Sequence, residues 1–271
     1  VEAASRRAGP LILERVPVTR EDPPDKRAPA ALRRLKKAYP DAHVALDFTT
    51  PLECVVATIL SAQSTDARVN MVTPMLFRKY PSPEAYLSVS EDELQRDIQS
   101  TGFFRQKTRA LRRMSQKLLD DYGGQVPRTM AELVTLPGVA RKTANIVQGN
   151  CYPEAAVKDP EAGLAVDTHV GRVAVRLGLT EHDSKQAEKI ERDLMALMPR
   201  KDWFQTTNLF IEHGRRTCDA KRPLCEDCPI ERLCPSSQVA GLPDLFRVKR
   251  KPPKAPVRKP GASKKTAARR R

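Results

Sequence analysis

Leu136-Pro137-Gly138-Val139-Ala140-Arg141-Lys142-Thr143-Ala144 is the stretch on which the fold turns. Upstream, Thr129 followed three residues later by Glu132 marks a capped helix start. That helix runs into Pro137-Gly138, and a second helix opens at once. Gly138 admits a positive φ and close approach of a partner. The amides that begin the second helix, around Ala140 and Arg141, point outward and can bind a phosphate with the help of the helix dipole. An ordinary corner between two helices also favours Gly and Pro. Taken alone, the stretch leaves a phosphate-binding hairpin and a plain corner both open.

Working outward, Thr50-Pro51-Leu52-Glu53 and Ser90…Glu93 repeat the helix-start signature, with Pro51 at the favoured first helical position. Leu52, Val55, Val56, Ile59 and Leu60 follow as one apolar face. Leu111, Met114, Leu118 and Leu119 make another, Val166, Val170, Val173 and Leu177 a third, and Leu32 and Leu35 a short earlier helix. Period-two alternation is nearly absent. The reading is all-α, with short Pro- and Gly-marked turns and no internal repeat.

The chain has 271 residues and a formal charge of +15, enough length for one large or two modest domains. The charge is uneven. Residues 246–271 hold twelve Lys and Arg and no acid, residues 1–27 hold six bases and five acids, and residues 28–245 hold 30 bases against 28 acids. The basic end reads as a disordered tail, either simply solvated or a salt-sensitive phosphate-binding arm. Segment 1–27, with four prolines, reads as disordered too. No run of 18 apolar residues occurs, which excludes a helix crossing a membrane. The mixed-charge N-terminus has no apolar block, so no secretory signal is expected, and disulfides among the six cysteines are not expected either.

Three sets of residues carry chemistry. Lys142 falls in the first turn of the hairpin's second helix. A lysine amine attacks carbon only when neutral, and burial or a neighbouring cation such as Arg141 drives it that way. A surface phosphate contact is the plainer role. Asp167, before Thr168-His169-Val170, suits a helix N-cap. It equally suits a carboxylate that stabilises developing positive charge and shuttles protons, and the two roles are compatible. Cys218-x6-Cys225-x2-Cys228-x5-Cys234 places four thiols within seventeen residues. Zinc is one occupant; one compact run ending in Cys234-Pro235 also suits four thiolates around an iron–sulfur cubane. Lys221 and Arg222, between the first two cysteines, are either solvated charges or phosphate contacts.

The string LPGVARKTANIV resembles the helix-hairpin-helix of the endonuclease III family of DNA glycosylases, and VDTHVGRV and the cysteine set match that family in order and spacing. The resemblance spans roughly residues 30–236. It implies that Lys142 is a nucleophile, that Asp167 is the second catalytic residue, and that the four cysteines hold a [4Fe–4S] cluster pinning a loop that presents Lys221 and Arg222. It implies a bifunctional glycosylase and AP lyase that removes oxidised pyrimidines from duplex DNA through a lysine Schiff base and β-elimination. Family members with Ser or Tyr in place of the lysine use water instead. Ser61-Ala62-Gln63-Ser64-Thr65-Asp66 resembles the family loop whose Gln fills the space left by an extruded base, a role that falls to Gln63. Gly102-Phe103-Phe104 resembles its wedge loop, with Phe103 where Leu is common. Gly138, Ala140 and Arg141 fall on the DNA-gripping hairpin, and Ala140 departs from the family's usual Gly.

The implied layout has a six-helix domain over 44–158, an iron–sulfur domain from 28–43 and 159–236, and a basic disordered tail over 237–271. Segment 151–163 is longer than is usual in the family. The expected partner is double-stranded DNA with damaged bases or abasic sites, bound by a monomer in a bacterial cytoplasm, associated with the nucleoid and without membrane contact. The rivals are an adenine-mismatch glycosylase of the same superfamily and a non-catalytic iron–sulfur DNA-binding protein.

Overall fold

A computed structural model describes residues 17–248, and among these there are helices and no strand. Helix α1 (Pro24–Ala38) is followed by α2 (Pro51–Ser61). The Thr50 side chain accepts the Glu53 amide while Glu53 reaches back to Thr50, so two orphan donors of α2 are satisfied reciprocally. Thr65 caps α3 (Asp66–Lys79). Short α4 (Pro83–Ser88) and Ser90-capped α5 (Glu91–Ile98) lead through a 3₁₀ turn at 99–101 into the long α6 (Phe104–Tyr122). The helix expected from Thr129 is a single turn, α7 (Met130–Leu133), before α8 (Arg141–Cys151). Then come α9 (Pro153–Lys158), α10 (Thr168–Arg176), α11 (Ala187–Leu197), α12 (Trp203–Arg216) and α13 (Leu245–Val248).

The apolar faces bury in two separate cores. One gathers Val55, Leu60, Leu94, Ile98, Leu111, Met114 and Val147 from α2 to α8. The other joins α1 to the C-terminal helices through Leu32, Leu35, Val170, Val173, Leu194 and Phe210. The chain crosses between the cores twice, and α8 lies against α12 at their junction. A Cβ on Gly149 of α8 would overlap the Phe204 ring of α12, so this contact needs a glycine. None of the described helices is long and apolar enough to cross a membrane.

Two boundaries differ from expectation. Segment 1–27 is not disordered throughout, because α1 starts at Pro24 and Arg27 is buried. The Arg27 guanidinium donates to the carbonyls of Leu177, Gly178 and Asp22, which together satisfy a charge that composition alone marks as solvated. The tail does not begin at 237 either. Asp244 meets Arg176 in a two-pronged ion pair, 2.9 Å from Nη2 to Oδ2 and 3.1 Å from Nε to Oδ1, with side chains 3% and 8% exposed. Phe246 is buried beneath the same guanidinium, 5.3 Å from ring centre. Residues 1–16 and 249–271, which include most of the basic run, lie outside the described residues.

Removing one member of a buried ion pair leaves the other charge unpaired, at a cost of about 3 kcal/mol. Asp244→Asn is therefore expected to lose about that much in chaotrope unfolding. Truncation after 248 should leave the melting temperature unchanged, and truncation after 236 should lower it. Equal melting of the two truncated chains would show that 237–248 contributes nothing to the fold.

Candidate active site

Gly138 sits at φ +86°, and a Cβ there would lie 3.0 Å from the Ala110 methyl of α6, so the hairpin turn has both a conformational and a packing need for glycine. Ala140 is the N-cap of α8 at φ −86°, ψ 169°. Any L-residue adopts that conformation, so its methyl brings no backbone strain. No side chain caps α8. The amides of Arg141, Lys142 and Thr143 therefore lack intrahelical partners and face outward.

The Arg141 side chain has a partner inside the protein. It turns to Glu191 of α11, with Nε 3.1 and 3.0 Å from the two carboxylate oxygens and Nη2 2.9 Å from Oε1. Asn145 Nδ2 donates to the same Oε1 at 2.9 Å, and Asn145 Oδ1 accepts the Gly163 amide at 2.9 Å. A Cβ on Gly163 would overlap the Glu191 carboxylate. Hydrogen bonding to Glu191 holds the Arg141 guanidinium above its ordinary range. Its charge thus serves the junction between the cores. Glu191 and Asn145 escape a sequence reading because their meeting spans 46 residues and follows no local pattern.

Lys142 and Asp167 line one cleft at that junction, together with His43, Asn145, Asn150 and Phe204. Asp167 caps α10: its Oδ1 accepts the His169 and Val170 amides, both at 2.8 Å. Its Oδ2 has no hydrogen-bond partner among the described residues. Fixing one oxygen by two amides immobilises the carboxylate and leaves the other oxygen available to a substrate. Lys142 is exposed on the groove wall. An ion pair between Asp66, in the first turn of α3, and Arg215 of α12 also borders the cavity and bridges the two cores. His169 bonds Arg172 through Nδ1 at 3.0 Å, and burial keeps it below its ordinary range.

A second, shallower depression is lined by Gln63, Phe103, Gly138 and Thr143. Gln63 and Phe103 are both exposed, and both have positive φ, 53° and 48°. They are the only non-glycine residues of the described chain in that region. Strained backbone of this kind persists where surroundings over-determine it, and it concentrates at functional sites.

A family model described as "HhH-GPD superfamily base excision DNA repair protein" matches residues 56–200. The chain is 46% identical to endonuclease III of Synechocystis sp. over 79% of this chain and 94% of that protein, and 43% identical to endonuclease III of Bacillus subtilis over the same shares. This chain belongs to the endonuclease III family. Its fold is similar to that of an endonuclease III trapped as a covalent intermediate with DNA, with a TM-score of 0.72 and 39% identity over 80% of this chain and 98% of that one.

In this member of the endonuclease III family, Cys218, Cys225, Cys228 and Cys234 line one apolar cavity beside α10 and α12, and none forms a disulfide. Burial pushes the Cys228 and Cys234 thiols up to about 12. Arg172 donates to the Cys218 carbonyl at 2.9 Å, and Arg176 lies 3.2 Å from its sulfur. Among the described residues no three His, Cys, Asp or Glu side chains gather tightly enough to hold a single metal ion. Lys221 and Arg222 border neither the groove nor the depression. Their side chains are exposed, while the amides of Arg222 and Lys221 bond Asp219 at 2.9 and 2.8 Å and hold its carboxyl at about 2.

Proposed function

We propose that the protein is a base excision repair enzyme, a DNA glycosylase and AP lyase acting on oxidised pyrimidines and abasic sites in duplex DNA. The observation that carries this reading is the shared cavity of Lys142 and Asp167, a nucleophile and a fixed carboxylate facing one groove. Family membership and the likeness to an endonuclease III trapped covalently on DNA support it. The relatives bear the endonuclease III name, and the lysine favours covalent chemistry over the adenine-mismatch and non-catalytic alternatives.

In this reading the duplex lies along the hairpin, with phosphates on the outward amides of α8. The damaged nucleotide leaves the stack, Gln63 occupies the vacated space and Phe103 wedges the neighbouring bases. Bound DNA excludes water from the groove. The Lys142 amine forms a bond to C1′ as the glycosidic C–N bond breaks and the base departs with its bonding pair. The Asp167 carboxylate stabilises positive charge on the sugar and carries protons during ring opening. Loss of a proton from C2′ then breaks the C3′–O bond, expels the 3′-phosphate and nicks the strand. Hydrolysis later frees Lys142. The enzyme works as a monomer in a bacterial cytoplasm, and Lys221, Arg222 and the basic tail add salt-sensitive phosphate contacts.

The four cysteines fit a [4Fe–4S] cluster. Four soft donors surround one apolar cavity, a donor set suited to an iron–sulfur cubane. When bound, the cluster cross-links the chain between α12 and residue 234, and it takes no part in the bond-breaking steps. Arg172 and Arg176 would offset its negative charge.

Lys142→Gln is expected to abolish nicking and borohydride trapping while holding DNA within about threefold of wild type. Asp167→Asn, which can still cap α10, should keep the melting temperature and lower turnover by about 10²–10⁴-fold. Nicking by Lys142→Gln at the wild-type rate would remove the lysine mechanism. The purified protein should be brown, absorb at about 400 nm and contain iron, as expected of thiolate-ligated clusters; stoichiometric zinc without iron would overturn the cofactor assignment.

A further inference from the structure

Lys107, on the first turn of α6, is only 5% exposed. Among the described residues no carboxylate lies within salt-bridge reach of it. Its ammonium instead donates to two backbone carbonyls, Leu60 at 2.7 Å and Thr101 at 2.8 Å. Leu60 lies in the last turn of α2, where the helix dipole favours a cation. Thr101 ends the 3₁₀ turn before Gly102. Burial draws the amine below the usual lysine range. A buried lysine held by carbonyls alone is a costly choice where an apolar side chain would fill the space.

Both carbonyls stand just upstream of a strained turn. Gln63 comes three residues after Leu60 and Phe103 two residues after Thr101, and these are the two strained non-glycine positions of the described chain. Gln63, Phe103 and Lys107 all line the same depression. The bonds to Leu60 and Thr101 join the end of α2 to the end of the 3₁₀ turn through one atom, immediately before each chain turns left-handed. Local sequence cannot hold both loops in a fixed mutual placement, because 40 residues separate the two side chains.

We propose that Lys107 is a positioning residue that locks the Gln63 and Phe103 loops into a single DNA-penetrating unit, so that extrusion of a damaged nucleotide depends on it although it touches no reacting atom. The proposal rests on the glycosylase reading given above and assigns a device to its extrusion step. Without the ammonium, the two probes move independently, and the hole left by the extruded nucleotide is filled less often.

A double-mutant cycle tests this. Single-turnover nicking of a thymine-glycol duplex is measured at saturating enzyme for wild type, Lys107→Met, the pair Gln63→Ala with Phe103→Ala, and all three substitutions together. Lys107→Met is expected to slow wild type about tenfold or more, and to change the rate by less than about twofold once both probes are gone, because residues acting as a unit are not additive. Lys107→Gln, which keeps one donor group, should lose less and show the same dependence on the probes, and it serves if Lys107→Met does not fold. An equal factor in both backgrounds would mark a general structural role and overturn the proposal, as would no effect in wild type. Absence of nicking by wild type would instead defeat the glycosylase reading itself.

Discussion

The Glu191 carboxylate, 7% exposed between Arg141 and Asn145, is the contact on which the site's geometry depends. Arg141 and Asn145 are on α8, and Glu191 is on α11 in the other core. The same cluster reaches the chain connecting the cores through Asn145 and the Gly163 amide. Lys142 is the neighbour of Arg141, and Asp167 follows Gly163 by four residues. One buried acid therefore ties the helix that carries Lys142 to the segment that leads to Asp167. The Arg141 side chain is 40% exposed, so solvent screens the attraction. What the pair supplies is placement more than net stability. Glycines at 149 and 163 complete the junction by leaving no Cβ between packed groups.

Charge is then divided among separate tasks. The formal +15 points to a polyanion, yet residues 28–245 are nearly balanced. Several arginines in the folded part are committed internally: Arg27 to carbonyls, Arg172 and Arg176 to the cysteine loop, Arg141 to Glu191. On a nearly neutral body, the uncapped start of α8 offers oriented amides suited to a phosphate. In the proposed function, the exposed side chains of Phe103 and Gln63 would supply the intrusion into the stack that charge cannot.

What was legible in the sequence was local. The Thr50–Glu53 and Thr129–Glu132 boxes, the Asp167 cap and the turn at Gly138 each rest on residues within four positions of one another, and each forms. The short motifs also carried the family. The misses were non-local. Arg141 reads as a hairpin residue for DNA, and its pairing with Glu191, 50 residues away, leaves no local signal. Residues 237–248 read as tail because Asp244 finds Arg176 across 68 residues. Arg27 reads as solvated because its carbonyl partners at 177 and 178 come about 150 residues later. Composition describes what a side chain is, and only the fold decides which charges are given a buried partner.

The claim that the Glu191 clasp holds Lys142 opposite Asp167 is tested most directly by the rate of borohydride trapping on a duplex containing an abasic site. Wild type and Glu191→Ala are compared at a temperature where their helical signals match, with the adduct located by peptide mapping. The expected result is an adduct on Lys142 in both, formed about tenfold or more slowly in the variant, as misplacement of a reacting group predicts. Trapping at the wild-type rate in Glu191→Ala, or an adduct on a different lysine in wild type, would contradict the account.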